Sequence, residues 1–305
     1  MAHGGLPSVL MWLPWDKALV LAALLGVLVL ALRGTDRRWA VTSAAVAREA
    51  FLLAIIYAAW NWVGEVSTPE AHGALERGVW IWDFERAIRL PSEAWLQDMI
   101  LPHRGIVQFA NVYYATAHIG AMGIFLVGLV TWHRDRFPHW RNALALVTAI
   151  GVLIQMIAVA PPRLVPSTHM VDTGLAYGQS VYQALGRGEA GQLQAMPSLH
   201  VAWAVLIAVA VWELAPSPWR WIGPLHAATT MWVVMVTANH YWLDGIVGAA
   251  IVVVVLVGQR LGSHWWARRA DARSDLVAPG PIGDRGSTPV PAPVAAPSSG
   301  AGAVV

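Results

Sequence analysis

Five side chains in three short stretches have the types and spacing to do chemistry: Arg163 in APPRLVP, Ser198 and His200 in AMPSLHVAW, and His240 and Asp244 in ANHYWLDGIVG. Together they suit phosphoryl transfer without a metal or other cofactor. A neutral imidazole attacks phosphorus and holds the group covalently, splitting one hard displacement into two easier ones. A carboxylate on the far ring nitrogen fixes the tautomer and stabilises the charge that develops. His240 and Asp244 are four residues apart, so on a helical turn they share a face. His200 is placed to donate a proton to the leaving oxygen. The Arg163 guanidinium fork matches phosphate oxygens. Pro197 at the first position of a helix would leave the next backbone N–H groups and the Ser198 hydroxyl facing an anion. The absence of cysteine removes thiol nucleophiles, disulfides and Cys-based metal sites.

Each residue taken alone has a plainer reading. A histidine at a membrane interface packs or is hydrated, a His-x-x-x-Asp pair is a structural hydrogen bond, Pro-Ser caps a helix, and a lone arginine snorkels. What favours chemistry is coincidence, because all five fall at the ends of apolar runs on one side of a membrane. Catalysis by this set requires Arg163, His200 and His240 to lie within about 12 Å of one another, the reach of one phosphate through hydrogen bonds.

The elements that must position them follow from composition. Of 305 residues, 57% are hydrophobic and 12% charged, and the mean hydropathy is +0.52. Charged residues make up roughly a quarter of a soluble domain, so a water-soluble chain is excluded. Many of the 18 Trp, including Trp12, Trp15, Trp132, Trp140, Trp219 and Trp221, end apolar runs, where an indole prefers the headgroup zone. The expected fold is an all-α polytopic membrane helix bundle. Its segments run near Ala18 to Leu32, Ala45 to Val66, Ile106 to Trp132, Ala143 to Ala160, Pro197 to Leu214, Trp221 to Thr237 and Gly245 to Leu261. The first is read as a retained helix, because Arg33, Arg37 and Arg38 follow it where a cleavage site would be.

Thirteen of the 20 basic residues fall on the side holding Arg33 to Arg48, Arg134 to Arg141, Arg220 and the stretch from Arg260, against seven opposite. Basic loops prefer the cytoplasm, so the N-terminus and the three clusters are expected on the extracytoplasmic face of the cell membrane. Between the second and third segments, residues 70–100 read as an interfacial amphipathic helix, with Leu75, Val79, Trp82, Phe84, Ile88 and Leu90 at helical spacing among charges. Residues 263–305 read as a disordered cytoplasmic tail rich in Pro, Ala, Gly and Ser. Three regions result: 1–44 with one added helix, a catalytic core over 45–262, and the tail.

The three stretches resemble the motif signature of the type 2 phosphatidic acid phosphatase superfamily, over roughly Ala45 to Leu261. PSLH is similar to its second motif, HYWLD to the end of its third, and PPRLVP to the arginine end of its first. The resemblance implies a six-helix catalytic core, a lipid-phosphate donor and a phosphohistidine intermediate. It makes His240 the nucleophile, with Asp244 as its partner. The phosphatase pattern has a lysine where this chain has Met156, and Ser-Arg where it has Val233 and Val234. Two phosphate-binding cations are thus absent, and the pattern looks more like the inositol phosphorylceramide synthase branch. The stretch LERGVWIWDFERAIRLPSEAWLQ is also similar to bacterial members of that branch.

A membrane lipid, either a phospholipid or a lipid phosphate, is the expected substrate, with water or an alcohol such as inositol as acceptor. Nucleic acid is not an expected partner. Fewer cations suit a phosphodiester better than a doubly charged monoester. Gln108, Asn111, Tyr114 and His118 form one polar stripe on the third segment. The stripe makes interhelical hydrogen bonds or lines a headgroup pocket. The stretch from Pro166 to Gln194 reads as a surface loop, whose His169 and Asp172 are placed to close over the site. The alternatives are a lipid phosphate phosphatase of the same superfamily and, from another class, a transporter binding a proton or metal through His200, His240 and Asp244. No sequence signature of an intramembrane protease is present.

Overall fold

The computed structural model describes residues 14–35, 37–66, 73–184 and 192–277. Trp12, Arg187 and the expected tail beyond residue 277 lie outside the described residues, as do residues 70–72 of the expected amphipathic stretch. Eleven helices are described: α1 (Trp15–Ala31), α2 (Arg38–Val66), α3 (Ala74–Ala87), α4 (Glu93–Ile100), α5 (Arg104–Trp132), α6 (Phe137–Gln155), α7 (Thr173–Ala176), α8 (Val181–Ala184), α9 (Leu199–Leu214), α10 (Ile222–Val236) and α11 (Trp242–Val277). No strand is present among the described residues; one isolated parallel bridge joins Val159 to Gln194. The chain forms two units, residues 1–259 and 260–305. In the second, residues 260–277 are helical, past the point where the tail was expected to begin. The stretch SHWWARRADARSDLV contains no Gly or Pro, and Pro279 is the first residue that cannot continue a helix.

Each of the seven apolar segments falls on a helix. Four helical stretches, Trp39–Ala59, Arg104–Trp132, Phe137–Gln155 and Trp242–Trp265, are long and apolar enough to cross a membrane. Leu199–Leu214 is apolar but shorter. Side chains such as Ile124, Val127, Leu225 and Val254 are more than half exposed, the pattern of a bundle whose solvent is hydrocarbon. This is a multi-pass membrane protein.

The main core joins α5, α6, α9 and α11 through Phe125, Leu129, Trp140, Val147, Leu206, Ala210, Val252 and Leu256. Trp140, expected at the headgroup zone, is instead 1% exposed within this core. A second core sets Val107, Ala110 and Tyr114 of α5 against Val201 of α9 and Val233 to Val236 of α10. α1 packs on α2, and α2 is tied to α6 by the Arg141 Nη1 to Glu49 Oε1 ion pair at 2.6 Å.

Two expectations change. The fourth segment leaves the helix at Gln155, not Ala160, because Pro161 disfavours the helical conformation just before it and residues 158–160 run extended toward α3. The amphipathic stretch forms two helices, α3 and α4. Pro91 and the Ser92 N-cap, which accepts from Trp95 N, end one and start the next, with Arg89 in the left-handed region at φ 62°.

α11 crosses α9 where glycine lets the backbones meet. A Cβ on Gly248 would lie 2.7 Å from the Ser198 carbonyl oxygen, the close approach that small residues permit between membrane helices. Gly258, on the same helix, has nothing within 4 Å. Gly248→Ala is expected to cost about 1–3 kcal/mol of stability by forcing α11 off α9, whereas Gly258→Ala should be neutral or mildly stabilising. Thermal unfolding of both variants in detergent micelles checks this; equal effects would show that the crossing tolerates a methyl group.

Candidate functional site

One short extended segment gathers the three sequence clusters. Val159 N donates to Leu193 O at 2.7 Å and Ala195 N to Val159 O at 3.2 Å, while Ala160 N donates to Ala74 O at 3.0 Å. Tyr241 donates its hydroxyl to Ala160 O at 2.9 Å, and Arg77 Nε donates to Ala158 O at 2.6 Å. A Cβ on Gly78 would lie 2.8 Å from Ala160 O and 2.9 Å from the Tyr241 hydroxyl, so α3 lies directly against this segment. Arg163 N donates to Ala238 O at 3.1 Å, and Ser198 N to Asp244 O at 3.0 Å. The stretches bearing Arg163, Ser198 and His240 are thus bonded to each other through their backbones.

His240 sits just before α11 and is 4% exposed. Its Nδ1 lies 2.8 Å from Ala195 O and 3.3 Å from Asp244 Oδ2. A carbonyl oxygen has no proton to give, so the ring donates from Nδ1, and in the neutral tautomer that this selects the lone pair is on Nε2. The nearer partner of the ring is therefore a backbone carbonyl. Asp244, which is fully buried, accepts more closely from Tyr241 N, at 2.8 Å, than from the ring.

The next two N–H groups of the chain are also met by acidic side chains. Trp242 N donates to Glu93 Oε1 at 3.3 Å and Leu243 N to Glu85 Oε1 at 2.6 Å. Both glutamates are 0% exposed, and Arg86 Nη2 lies 3.0 Å from Glu93 Oε2 and 3.7 Å from Glu85 Oε2. Burial first, then the hydrogen bond and charge of Glu93, push the Glu85 carboxyl up to about 9. Glu85 is therefore neutral at pH 7. One arginine, one carboxylate and one carboxylic acid make a cluster with no net charge at the start of α11, where the helix dipole favours acidic groups. Trp242 donates Nε1 to Pro91 O at 2.8 Å.

His200 stacks on Tyr114, with ring centroids 4.6 Å apart. It meets the edge of His118 at 4.3 Å and lies 5.6 Å from His240. His118 is held by its contact to Tyr114 O at 3.2 Å. Ser198 is buried as the N-cap of α9, its hydroxyl accepting from Val201 N at 3.3 Å. Pro197 therefore precedes the cap and does not occupy the first helical position, because the Ser198 side chain satisfies a first-turn N–H that no preceding carbonyl reaches.

Arg163 opens onto a small cleft lined by, among others, Asn111, Tyr114, Asp172, Tyr182 and Asn239. Its Nη1 donates to Asn239 Oδ1 and its Nη2 to Gln192 Oε1 at 3.3 Å. Its Nε pairs with Asp172 Oδ2 at 3.2 Å, and its face covers the Tyr182 ring at 4.5 Å. The stretch from Pro166, read from sequence as a surface loop, instead walls this cleft as far as it is described. Asn111 donates to Thr173 O and Gln179 Oε1, each at 3.1 Å, and Tyr114 shares a hydroxyl hydrogen bond with Tyr182 at 2.9 Å. Asn111 and Tyr114 of the polar stripe thus line this cleft and hydrogen-bond to the stretch that walls it. His169 is exposed. Val233 and Val234, where the phosphatase pattern has Ser-Arg, are buried in the second core, and Val234 O receives the N–H groups of Asn239 and His240. Among the described residues no three His, Cys, Asp or Glu side chains are grouped to hold a metal ion.

Sequence reasoning passed over Glu85, Glu93, Asn239, Tyr182 and Gln192. For the glutamates a signal was present. Ala74, Gly78, Ile81 and Glu85 form the buried stripe of α3, and Glu93, Gln97 and Ile100 that of α4. A carboxylate on the apolar stripe of a helix has a partner across the interface.

Residues 79–258 match the PAP2 superfamily. A stretch of 135 residues is 28% identical to the inositol phosphorylceramide synthase catalytic subunit aur1 of Schizosaccharomyces pombe, covering 39% of this chain and 32% of that protein. The matched part is therefore about a third of the relative's length. No solved structure matches.

The glutamate cluster makes stability pH-dependent. The unfolded chain releases the Glu85 proton near its ordinary value of 4.5, while the folded chain keeps it to about 9. Stability is then lost as pH rises through that window, by at most about 1.4 kcal/mol per pH unit. Glu85→Gln preserves the acceptor for Leu243 N and cannot titrate. Melting curves across about pH 5 to 8 are expected to fall less steeply for this variant than for the natural chain; parallel curves would show that Glu85 is not held protonated.

Proposed function

The chain belongs to the PAP2 superfamily, and from that premise we propose that it is an integral membrane lipid phosphotransferase working through a phosphohistidine intermediate at the outer leaflet. His240 Nε2 attacks the phosphorus of a membrane lipid. A P–N bond forms, the P–O bond to the lipid alcohol breaks, and the departing oxygen takes a proton from His200. In the second step an acceptor hydroxyl gives its proton back to His200 and attacks phosphorus, and His240 leaves with its lone pair restored. Ala195 O and Asp244 hold the Nδ1 proton throughout and stabilise the cationic phosphohistidine. Arg163 and the Ser198 hydroxyl are assigned to the phosphate oxygens. Asn111 and Tyr114 face the headgroup, and His118 supports His200.

The observation that carries this reading is the His240 ring itself. Its Nδ1 is committed to two acceptors, at 2.8 and 3.3 Å, and a second histidine stands 5.6 Å away. The transferase branch is favoured over the phosphatase because Met156 and Val234 supply no charge where the phosphatase pattern has cations. Likeness to the fission-yeast protein supports the same choice, with inositol or another alcohol as acceptor. Orientation follows the bias of basic residues, which places the site outside and the C-terminal segment in the cytoplasm.

His240→Ala and His200→Ala are each expected to lower turnover at least about 100-fold while the protein still inserts and folds. Activity should persist in EDTA. Purified protein incubated with labelled phospholipids, with and without inositol, separates the branches: a new phosphodiester lipid marks a transferase, and free phosphate alone marks a phosphatase. Full turnover in either histidine variant, or loss in EDTA restored by zinc, would overturn the mechanism.

A further inference from the structure

Arg163 is the one cation among the described residues that line the cleft, and its charge is already answered within the protein. Three of its donor nitrogens face protein acceptors: Nη1 faces Asn239, Nη2 faces Gln192 and Nε faces Asp172. Of these partners Asp172 alone carries a full charge. The carboxylate is not held there by the arginine alone, because Asp172 Oδ1 accepts from Leu175 N at 2.8 Å as the N-cap of α7. α7 is anchored in turn through Thr173, whose hydroxyl donates to Asn111 Oδ1 at 2.8 Å. The side chain of Arg163 is 2% exposed and that of Asp172 24%, so water screens the pair weakly on the arginine side and the carboxylate remains in contact with the cleft.

We propose that Asp172 is a specificity-determining residue that selects phosphodiester lipids over phosphomonoester lipids by setting a fixed negative charge beside the only cleft-lining cation described. The inference rests on the reading of this cleft as the phosphate-binding end of the site. A phosphodiester carries one negative charge, and a phosphomonoester at neutral pH carries between one and two. Both are drawn to Arg163 and repelled by Asp172. Because the Asp172–Arg163 pair has no net charge, the second charge of the monoester meets no compensating attraction. The guanidinium also has only part of its five-donor fork left for a ligand, enough for the two non-bridging oxygens of a diester and too little for the three terminal oxygens of a monoester. Asp172 therefore acts in the same direction as the missing cations at Met156 and Val234, but by adding a charge where they withhold one.

The test compares binding of two fluorescent lipids, phosphatidic acid as the monoester and phosphatidylglycerol as the diester. Both are anionic and share a diacylglycerol body. Binding to the purified full chain is measured in nonionic detergent at low salt, beside turnover of the same lipids. Asp172→Asn removes the charge and keeps the N-cap acceptor; Asp172→Ser does the same with a shorter cap. Both variants are expected to raise the affinity for phosphatidic acid, relative to that for phosphatidylglycerol, by about tenfold, and added salt should shrink the difference. An unchanged ratio in both variants, or an equal loss for both lipids, would overturn the proposal and leave Asp172 a positioning residue for Arg163. Turnover fails separately: lipids that bind with the expected ratio but are never converted would refute the transferase reading while sustaining the charge selection.

Discussion

Tyr241, Trp242 and Leu243 each donate their backbone N–H to a different carboxyl group, Asp244, Glu93 and Glu85 in turn. The first N–H groups of a helix have no intrahelical acceptor, and in a bundle surrounded by hydrocarbon no water replaces one at a buried end. Leaving one of them unmet costs about 1–3 kcal/mol. The start of α11 therefore has to be covered by side chains, and the chain covers it with acids that also do other work. Asp244 turns the same oxygen toward the His240 ring, and its carbonyl receives Ser198 N. Glu85 and Glu93 draw α3 and α4 onto the bundle. Remove this junction and α3 and α4 each lose a tie to α11, α9 loses the Ser198–Asp244 backbone bond, and His240 loses one of the two acceptors of its Nδ1 proton.

Charge economy follows from the same surroundings. Burying an unpaired ion is far more costly than burying a neutral hydrogen-bonded group, and both ends of the site are close to neutral. At the α11 end, Arg86 faces one carboxylate and one carboxylic acid. At the cleft, Arg163 faces Asp172. A phosphate group entering such a site finds directed N–H and O–H donors and little net positive charge. Under the proposed function, that arrangement suits a monoanionic phosphodiester and a mechanism in which charge develops on His240, beside Ala195 O and Asp244.

Much of this was legible in the sequence. The scarcity of charge put the chain in a membrane, and every apolar segment read from sequence lies on a helix. Arg163, Ser198, His200, His240 and Asp244 stood out because polar groups at the ends of apolar runs need partners. What stayed hidden was long-range. Glu85 and Glu93 looked like solvated charges of an amphipathic helix, because their partners are backbone N–H groups about 150 residues away in the chain and backbone groups leave no mark on a sequence pattern. The stretch from Pro166 to Gln194 looked too polar to pack, yet Thr173, Gln179 and Tyr182 pack by hydrogen bonding to Asn111, Tyr114 and Asn239, which hydrophobicity does not register. The end of α6 at Gln155 lies earlier than the apolar run implies for a related reason, since apolar residues 158–160 belong to the extended tether that gathers the three stretches.

The proposed chemistry turns on one atom, Nε2 of His240, which carries the lone pair of the neutral ring because Nδ1 faces Ala195 O and Asp244. The most direct measurement is the linkage of the covalent adduct. The reaction with a labelled phospholipid is quenched at alkaline pH, the protein is digested, and the phosphorus-bearing peptide is mapped by mass spectrometry against synthetic phosphohistidine isomers. The structure predicts label on His240, joined through Nε2. Label joined through Nδ1, or carried by His200 or another residue, would contradict it.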